Sequence, residues 1–126
     1  MAEILIVDDD PRARAAMAEI CRVAGYSVAA VEDGPGALKA VADGSHFLVL
    51  LDIHMPGMDG IAVAQAIRAL PPPVSEVPII AVTADYFPQT RAKCYAAGVN
   101  DLVAKPIVPA ELLGRIALHL DLVSSS

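Results

Sequence analysis

The chain contains the segment Phe47-Leu48-Val49-Leu50-Leu51-Asp52, in which five consecutive apolar residues end at a carboxylate. A strand that faces water on one side alternates apolar and polar residues, whereas a strand covered on both faces is apolar throughout. The run is also far shorter than the roughly 18 apolar residues of a membrane span. It therefore predicts a central strand of a parallel sheet with helices on both faces.

Four further short runs suited to strands alternate with helical patterns on either side of this segment. They lie at residues 4–7, 27–31, 78–82 and 101–104. Acidic residues able to cap a helix precede three of the helical patterns (Asp10, Asp33 and Asp59), and Pro71-Pro72-Pro73 ends the third helix. Strict alternation of strand and helix predicts an α/β fold, a three-layer (βα)5 doubly wound sandwich. Five such units are too few for a closed eight-stranded barrel.

Length and composition limit the class of protein further. The 126 residues, 56% of them apolar, suit one domain over residues 1–123, with residues 124–126 as a tail or linker stub. A net charge of −6 argues against a nucleic-acid-binding surface. The two distant cysteines, Cys21 and Cys94, favour neither a disulfide nor a zinc site and suit a cytoplasmic protein. We expect no membrane insertion and no direct contact with nucleic acid.

Polar residues follow four of the predicted strands at the point where each strand ends. Asp8 and Asp9 follow the first strand, Asp52 the third, Thr83 the fourth and Lys105 the fifth. Because parallel strands share one carboxyl edge, where ligands bind in open α/β sheets, we expect these side chains to converge. Helix capping explains one acid per loop, but not a run of acids beside a second acidic strand end and a lysine.

Such a cluster of carboxylates is tolerable only with a cation or a proton among them. Hard oxygen ligands indicate Mg²⁺ rather than Zn²⁺, which prefers Cys and His. Asp52, on the central strand, is the best candidate for a nucleophile toward phosphorus, and would form an acyl phosphate. The metal, a lysine and a hydroxyl would neutralise the phosphoryl oxygens.

Four motifs resemble those of the response-regulator receiver domain of two-component signalling (CheY-like). They are Ile-Val-Asp-Asp-Asp-Pro at 6–11, Asp-Ile-His-Met-Pro-Gly-Met-Asp-Gly at 52–60, Val-Thr-Ala at 82–84 and Lys-Pro at 105–106. The resemblance extends from Glu3 to Leu122 and implies a flavodoxin-like fold with strand order 2-1-3-4-5. It also implies a phosphorylation-dependent signalling switch that promotes its own phosphotransfer and is not a conventional enzyme.

The resemblance assigns a role to each acidic residue of the cluster. Asp52 would accept the phosphoryl group from a histidine kinase or a histidine phosphotransfer domain. Asp9 would bind Mg²⁺ directly, and Asp8 would assist largely through water. Asp52 and the backbone carbonyl of His54 would complete the protein ligands, with the His54 ring facing solvent at the rim.

The remaining two site residues, Thr83 and Lys105, would pair with phosphoryl oxygens, and the Lys105–Pro106 peptide bond would be cis. Receivers of this family transmit the signal through the face formed by helix 4, strand 5 and helix 5, usually with an aromatic residue on strand 5. That position is Leu102 here. We therefore expect the output to depend more on the loop after Thr83, where Tyr86 and Phe87 could be displayed.

The biological context stays open at the level of sequence. The chain is expected to be either a stand-alone receiver or the receiver domain of a hybrid sensor kinase, which its runs at 78–84 and 105–107 resemble. Its signal would accordingly pass to a downstream protein or to a fused domain. The expected partners are therefore a histidine kinase or phosphotransfer domain on one side and an effector protein or domain on the other.

Two alternatives use the same polar residues differently. Asp8-x-Asp10 after a first strand resembles the motif of haloacid-dehalogenase-like phosphatases, with Asp8 as nucleophile and Asp10 as acid/base. That interpretation leaves Asp52, Thr83 and Lys105 only partly explained. A flavodoxin-like flavin binder is disfavoured, because the acids of the first loop would repel the cofactor phosphate.

The other histidines, His46 and His119, are predicted to lie on the surface.

Overall fold

The computed structural model describes residues 3–55, 57 and 59–124, with side chains described as far as residue 120. Within these residues, five strands alternate with five α-helices. The strands are β1 (Glu3–Val7), β2 (Val28–Val31), β3 (His46–Asp52), β4 (Ile79–Thr83) and β5 (Asp101–Ala104). The helices are α1 (Pro11–Val23), α2 (Gly34–Val41), α3 (Gly60–Arg68), α4 (Pro88–Ala96) and α5 (Pro109–Ser124). A 3-10 helix, Val74–Glu76, precedes β4.

The strands form one parallel sheet in the order β2-β1-β3-β4-β5, which confirms the predicted topology. In this order β3 is central, and Leu50 lies opposite Ile6 of β1 and Ile80 of β4. The connection after β1 leads to one edge of the sheet and the connections after β3 lead to the other edge, so the strand order switches between β1 and β3. The carboxyl ends of these two strands therefore border the crevice where open α/β sheets bind ligands.

Helices cover both faces of the sheet, as the uninterrupted apolar strands predicted. Leu5 and Val7 of β1 belong to one buried cluster with side chains of α2, α3 and α4. Ile4 and Ile6 of the same strand belong to a second cluster with side chains of α1 and α5. Each large aliphatic side chain buried in this way contributes about 1.5–3 kcal/mol. The two clusters thus fix the sheet between two helical layers.

The predicted helix boundaries follow local capping chemistry. The carboxylates of Asp10, Asp33 and Asp59 each accept a hydrogen bond, at 2.7–2.9 Å, from a backbone N–H two or three residues later. These bonds satisfy amide groups that have no partner inside the helix. Gly25, with φ of 99°, follows the C-cap of α1 in the left-handed conformation that glycine adopts without strain. The three caps are therefore confirmed.

Arg68, at the end of α3, organises the connections before β4 and β5 in a way that the sequence did not indicate. Its guanidinium donates hydrogen bonds to the carbonyl oxygens of Ser75, Val77 and Gly98 at 2.7–3.0 Å, and to the Asn100 side chain at 2.9 Å. Burial lowers the pKa of Arg68. The planar fork of donors allows one side chain to satisfy several loop carbonyls at once.

The predicted surface positions of two histidines are wrong. The His46 side chain is only 4% exposed, since it begins β3 beneath the connection to β4. His119 lies on the side of α5 that faces β5, and its Nε2 is 3.0 Å from Oδ2 of Asp101. No helix in the described part of the chain is long and apolar enough to cross a membrane.

Candidate functional site

The carboxyl ends of the strands bring together the five polar residues that the sequence singled out. Asp8 directly follows β1, Asp52 and Thr83 are the last residues of β3 and β4, and Lys105 directly follows β5. The Lys105 backbone N–H also donates to the Thr83 carbonyl oxygen at 2.9 Å, which extends the pairing of the last two strands to the site itself. Parallel strand pairing therefore positions these side chains.

Three carboxylates form the centre of the site. One oxygen from each of Asp8, Asp9 and Asp52 lies within 4.8 Å of the others. Asp8 is fully buried and Asp52 is 5% exposed, whereas Asp9 is exposed. Octahedral Mg²⁺, with bonds of about 2.1 Å, separates opposite ligands by about 4.2 Å. The spacing and the hard oxygen chemistry of these carboxylates therefore fit a small divalent cation after slight adjustment.

Lys105 supplies the positive charge that faces the two buried carboxylates. Its Nζ lies 3.2 Å from Oδ2 of Asp8 and 3.7 Å from Oδ1 of Asp52. The lysine side chain remains 26% exposed, so its ammonium is at the boundary between the cluster and solvent. This position allows the ammonium to balance the two acids and still reach an incoming anion.

The electrostatic environment of Asp52 opposes its ionisation. Burial, reinforced by the negative charges of Asp8 and Asp9, raises the pKa of Asp52 to about 6. The Lys105 ammonium and a hydrogen bond from the His54 backbone N–H act in the opposite direction. An additional cation beside the carboxylate would lower this pKa and favour the ionised, nucleophilic form.

Asp8 has more hydrogen-bond partners than Asp9. One of its carboxylate oxygens accepts a hydrogen bond from the Asp10 backbone N–H at 2.9 Å, and the other faces the Lys105 ammonium. Its carbonyl oxygen accepts a hydrogen bond from Arg14 at 2.9 Å. For the Asp9 carboxylate, by contrast, the described residues provide no hydrogen-bond donor, so its oxygens face solvent and are available to a ligand.

The loop between β4 and α4 contains a polar residue that the sequence reasoning missed. The Asp85 carboxylate accepts a hydrogen bond from the Thr90 hydroxyl at 2.7 Å and lies 3.3 Å from Nε2 of His54. Its backbone N–H donates to the Thr83 hydroxyl oxygen at 2.9 Å. The bond from Thr90 is the largest of the effects that lower the pKa of Asp85. Asp85 thereby links the two loops that border the site, while the His54 ring is exposed as predicted.

Gly60 allows the loop after Asp52 to return close to β3. A Cβ atom on this glycine would overlap the Asp52 carbonyl oxygen and lie 2.6 Å from Cα of Ile53. The Gly60 N–H also donates to the Ile53 carbonyl oxygen at 2.9 Å. The close return of this loop to β3 therefore requires Gly60.

Leu102 and the loop after Thr83 differ in their exposure. Leu102 is 1% exposed and belongs to the buried cluster on the α4 side of the sheet. Tyr86 is 40% exposed and Phe87 70% exposed. The Arg91 guanidinium lies 4.8 Å from the centre of the Tyr86 ring. The aromatic surface near the site is thus provided by the loop, whereas the strand position is filled by a buried aliphatic side chain.

The Lys105–Pro106 peptide bond is cis, as expected.

The arrangement of these groups suits the transfer of a phosphoryl group. A carboxylate at the end of the central strand lies beside a cation site, an ammonium and a hydroxyl. Charge in such a transition state resides on the equatorial phosphoryl oxygens, which these groups could neutralise. The fold and this site together define a class of small domains with an open α/β sheet and an acidic cluster at its carboxyl edge.

Comparison with known proteins identifies the family. The model of the response regulator receiver domain matches residues 4–117, and the chain belongs to this family, whose general function is a phosphorylation switch. The DNA-binding response regulator MtrA of Mycolicibacterium smegmatis is 38% identical over 93% of the chain. The chain spans about half the length of that relative, 50%.

Two solved structures are similar over nearly the whole chain. The receiver domain of the sensor histidine kinase PA1611 from Pseudomonas aeruginosa, which holds a magnesium ion in its active-site cleft, is 37% identical. The alignment covers 91% of this chain and 93% of that chain, with a TM-score of 0.82. The chemotaxis protein CheY4 of Vibrio cholerae is 28% identical, with a TM-score of 0.86 and coverage of 93% and 97%. The fold is therefore shared with a chemotaxis protein and with the receiver domain of a sensor histidine kinase.

Proposed function

We propose that Asp52 accepts a phosphoryl group from a phosphohistidine of a histidine kinase or a histidine phosphotransfer domain. The observation that carries the proposal is the convergence of Asp8, Asp9 and Asp52 within 4.8 Å, with Lys105 Nζ 3.7 Å from Asp52. Asp52 is the acceptor because it ends the central strand. The hydrogen bond from the His54 N–H to the Asp52 carboxylate is 3.3 Å long. The bond from the Asp10 N–H to the Asp8 carboxylate is shorter, at 2.9 Å, so the Asp52 carboxylate is the less constrained of the two.

The cation of the site is Mg²⁺ in this proposal. Asp9 and Asp52 would bind it through carboxylate oxygens, and the backbone carbonyl of His54 would be a further ligand. Asp8 would act largely through water, because both of its carboxylate oxygens already face donors. When bound, Mg²⁺ would lower the pKa of Asp52 and balance charge on the phosphoryl oxygens.

The reaction itself is a simple displacement at phosphorus. An oxygen of the Asp52 carboxylate attacks, the new O–P bond forms, and the P–N bond of the phosphohistidine breaks. The imidazole nitrogen leaves with the bonding electron pair. Lys105 would pair with one phosphoryl oxygen, having an ammonium already 3.7 Å from Asp52. Asp52 is thus a nucleophile that remains modified, and hydrolysis later resets the domain.

Thr83 would connect the phosphoryl group to the rest of the domain. Its hydroxyl oxygen now accepts the Asp85 N–H, a bond that would break if the hydroxyl turned toward the phosphate. Asp85 in turn contacts Thr90 of α4. The change would therefore spread from Thr83 through this loop to the surface formed by α4, β5 and α5. With Leu102 buried, Tyr86 and Phe87 would carry much of the altered surface.

The output would be a contact with another protein or with a fused domain. The DNA-binding relative MtrA is about twice as long as the matched region, and PA1611 is a sensor kinase that contains a receiver. These relatives support two contexts for the domain, a regulator with an effector domain and a hybrid kinase, alongside a stand-alone receiver. In each context the domain is a cytoplasmic switch and contacts nucleic acid only through its partner.

Phosphorylation by a small phosphodonor tests this function without the native kinase. The chain is incubated with acetyl phosphate and Mg²⁺, and its intact mass is followed. We expect one phosphoryl adduct in the wild-type chain, and none when EDTA is present or when Asp52→Asn replaces the acceptor. An exposed aspartate outside the site supplies the matched variant, Asp33→Asn, which should be modified normally.

The same experiment separates the phosphatase alternative. That alternative requires Asp8 as nucleophile and Asp10 as acid/base, but the Asp10 carboxylate accepts the Arg12 N–H as the cap of α1. Rapid turnover of a chromogenic phosphate ester by the wild-type chain, lost in Asp8→Asn but retained in Asp52→Asn, would contradict the proposed receiver chemistry.

A further inference from the structure

Asp9 depends on the backbone for its position more than the other acids of the cluster do. Its side chain is exposed, and no donor among the described residues holds its carboxylate. Because a peptide unit is planar, each residue has only two soft backbone dihedrals. The direction of the Asp9 Cα–Cβ bond is therefore set once the peptide planes on its two sides are fixed. In this structure a side chain fixes each of the two planes.

Arg14 fixes the plane that precedes Asp9. Val7 is the last residue of β1 in register with both neighbouring strands, so the Asp8 carbonyl oxygen lies beyond the regular pairing. Arg14 Nη1 donates a hydrogen bond to this oxygen at 2.9 Å. The plane that follows Asp9 is fixed by the Asp8 carboxylate, which accepts a hydrogen bond from the Asp10 N–H at 2.9 Å. Loss of the Arg14 side chain would therefore free one of the two planes.

The surroundings of Arg14 favour this arrangement. The residue lies in the first turn of α1, and its backbone N–H donates to the Asp10 carbonyl oxygen at 2.9 Å. Its half-buried side chain lines a groove between α1 and the connection from β2 to α2. Glu32 and Asp33 line the same groove, and their negative charges favour a guanidinium there. A charged donor is thus kept beside the Asp8 carbonyl.

We propose that Arg14 is a positioning residue for the cation site. Through the Asp8 carbonyl, it directs the Asp9 carboxylate toward the oxygens of Asp8 and Asp52, which lie within 4.8 Å. The guanidinium itself contacts neither the cation nor the phosphoryl group. This inference rests on the proposed function, in which Asp9 is a direct ligand of Mg²⁺.

A role of Arg14 as a positive charge alone predicts the opposite effect on Mg²⁺ affinity. A guanidinium near three carboxylates repels a divalent cation, so its removal would strengthen Mg²⁺ binding if charge were its only contribution. Removal of a positioning residue weakens binding, because the Asp9 carboxylate must then be ordered when the cation binds. The sign of the change in affinity separates the two roles.

Titration of the full chain with Mg²⁺, without a phosphodonor and monitored by backbone amide NMR, measures this affinity. Arg14→Met removes both the charge and the donor, and should bind Mg²⁺ about tenfold more weakly than wild type. Arg14→Lys keeps the charge and one donor, and should have an intermediate affinity. The matched control is Arg12→Met, which removes an exposed charge from the same helical turn and should bind Mg²⁺ at least as tightly as wild type.

The rate of phosphorylation by acetyl phosphate supplies a second readout. In Arg14→Met, the Mg²⁺ concentration that gives half the maximal rate should rise by the same factor as the dissociation constant. The rate at saturating Mg²⁺ should stay near that of wild type, because Asp52, Thr83 and Lys105 are unchanged. Lower stability in urea without a shift of the half-maximal Mg²⁺ concentration would overturn the positioning role and leave a structural one.

Mg²⁺ binding by Arg14→Met as tight as that by Arg12→Met would likewise overturn the role of Arg14. If Arg14→Met does not fold, Arg14→Lys decides. Because this variant keeps the charge, weaker Mg²⁺ binding supports positioning and unchanged binding overturns it. A wild-type chain that neither binds Mg²⁺ nor becomes phosphorylated would instead overturn the proposed function, so the two failures are distinguishable.

Discussion

Lys105 Nζ lies 3.2 Å from Oδ2 of Asp8, although 97 positions separate the two residues in the chain. Asp8 is fully buried, and this ammonium is its partner at the edge of the cluster. The contact exists because β1 and β5 are parallel and end at the same edge of the sheet. It joins the first and last strand-end residues of the site into one charged group with Asp52.

Removal of this ammonium should affect both stability and ionisation. In Lys105→Gln, Asp8 and Asp52 face each other without a counter-charge, since glutamine carries none. We expect unfolding free energy at neutral pH to fall by about 1–2 kcal/mol, less than for a fully buried pair because the lysine is partly exposed. The pKa of Asp52 should rise above its wild-type value of about 6. Urea denaturation and NMR titration of the carboxyl carbon measure the two effects.

The control for this variant is Lys39→Gln, at an exposed lysine of α2. If Lys105→Gln matched the control in stability and left the Asp52 titration unchanged, the electrostatic role assigned to Lys105 would be wrong.

Asp52 itself should destabilise the metal-free domain at neutral pH. Its pKa is about 6 in the folded chain, above the ordinary value of 3.8. Between these pH values the unfolded chain has already lost the proton that the folded chain retains. Wild-type stability therefore falls as pH rises through this window. Asn cannot ionise, so Asp52→Asn in EDTA should be more stable than wild type by about 1–3 kcal/mol near neutrality.

The same pair of proteins should converge in acid, because Asp52 is protonated in both states below its unfolded pKa. Urea denaturation at several pH values measures the difference. A gap that persisted unchanged at about pH 3, or a wild type more stable than Asp52→Asn at neutrality, would contradict the raised pKa.

Gly60 provides a steric prediction. In Gly60→Ala the new methyl group would overlap the Asp52 carbonyl oxygen and Cα of Ile53, so backbone must move beside the phosphoacceptor. We expect a loss of about 1–3 kcal/mol in unfolding free energy. Phosphorylation by acetyl phosphate should also slow. Thermal and urea denaturation measure the first effect, and intact-mass time courses the second.

Gly114, in α5, is a matched glycine with an open environment, since a Cβ there meets nothing within 4 Å. Gly114→Ala should stabilise the domain by about 0.5–1 kcal/mol through helix propensity. If both alanine variants had the same effect, the close approach at Gly60 would not be the cause.

The loop after Thr83 should carry the conformational response. Beryllofluoride mimics a phosphoryl group on aspartate, and its addition with Mg²⁺ should shift amide signals within residues 84–104, including Tyr86 and Phe87. The reason is the bond from the Asp85 N–H to the Thr83 hydroxyl oxygen, which must change if the hydroxyl moves. NMR spectra of wild type and Asp52→Asn, each with and without beryllofluoride, measure the response. A wild-type chain with no shift in this range would defeat the proposed output route.

Much of the fold was predictable because its signals are local. The five-residue apolar segment before Asp52 indicates a strand covered on both faces, and acidic caps such as Asp10 and Asp59 mark where helices begin. The grouping of Asp8, Asp52 and Lys105 followed from one rule about parallel strands. Strand order and the family followed from motif resemblance, which the topology and the family match then confirmed.

Other features were not predictable because they depend on contacts between distant segments. The hydrogen bonds from the Arg68 guanidinium to the Ser75 and Gly98 carbonyl oxygens can form only once the loops before β4 and β5 are in place. Asp85 is an ordinary loop acid until the fold brings His54 within 3.3 Å of it. His46 and His119 were misplaced because a lone histidine has no periodic signal of its own, and its burial is decided by which connection packs over it.

Mapping the modified residue tests the central claim most directly. The wild-type chain is treated with acetyl phosphate and Mg²⁺, the acyl phosphate is reduced with borohydride, and the converted residue is located by peptide mass spectrometry. The proposed mechanism predicts conversion of Asp52, dependence on Mg²⁺, and loss of conversion in Asp52→Asn. Conversion of Asp8, or equal conversion of Asp52 in EDTA, would contradict it.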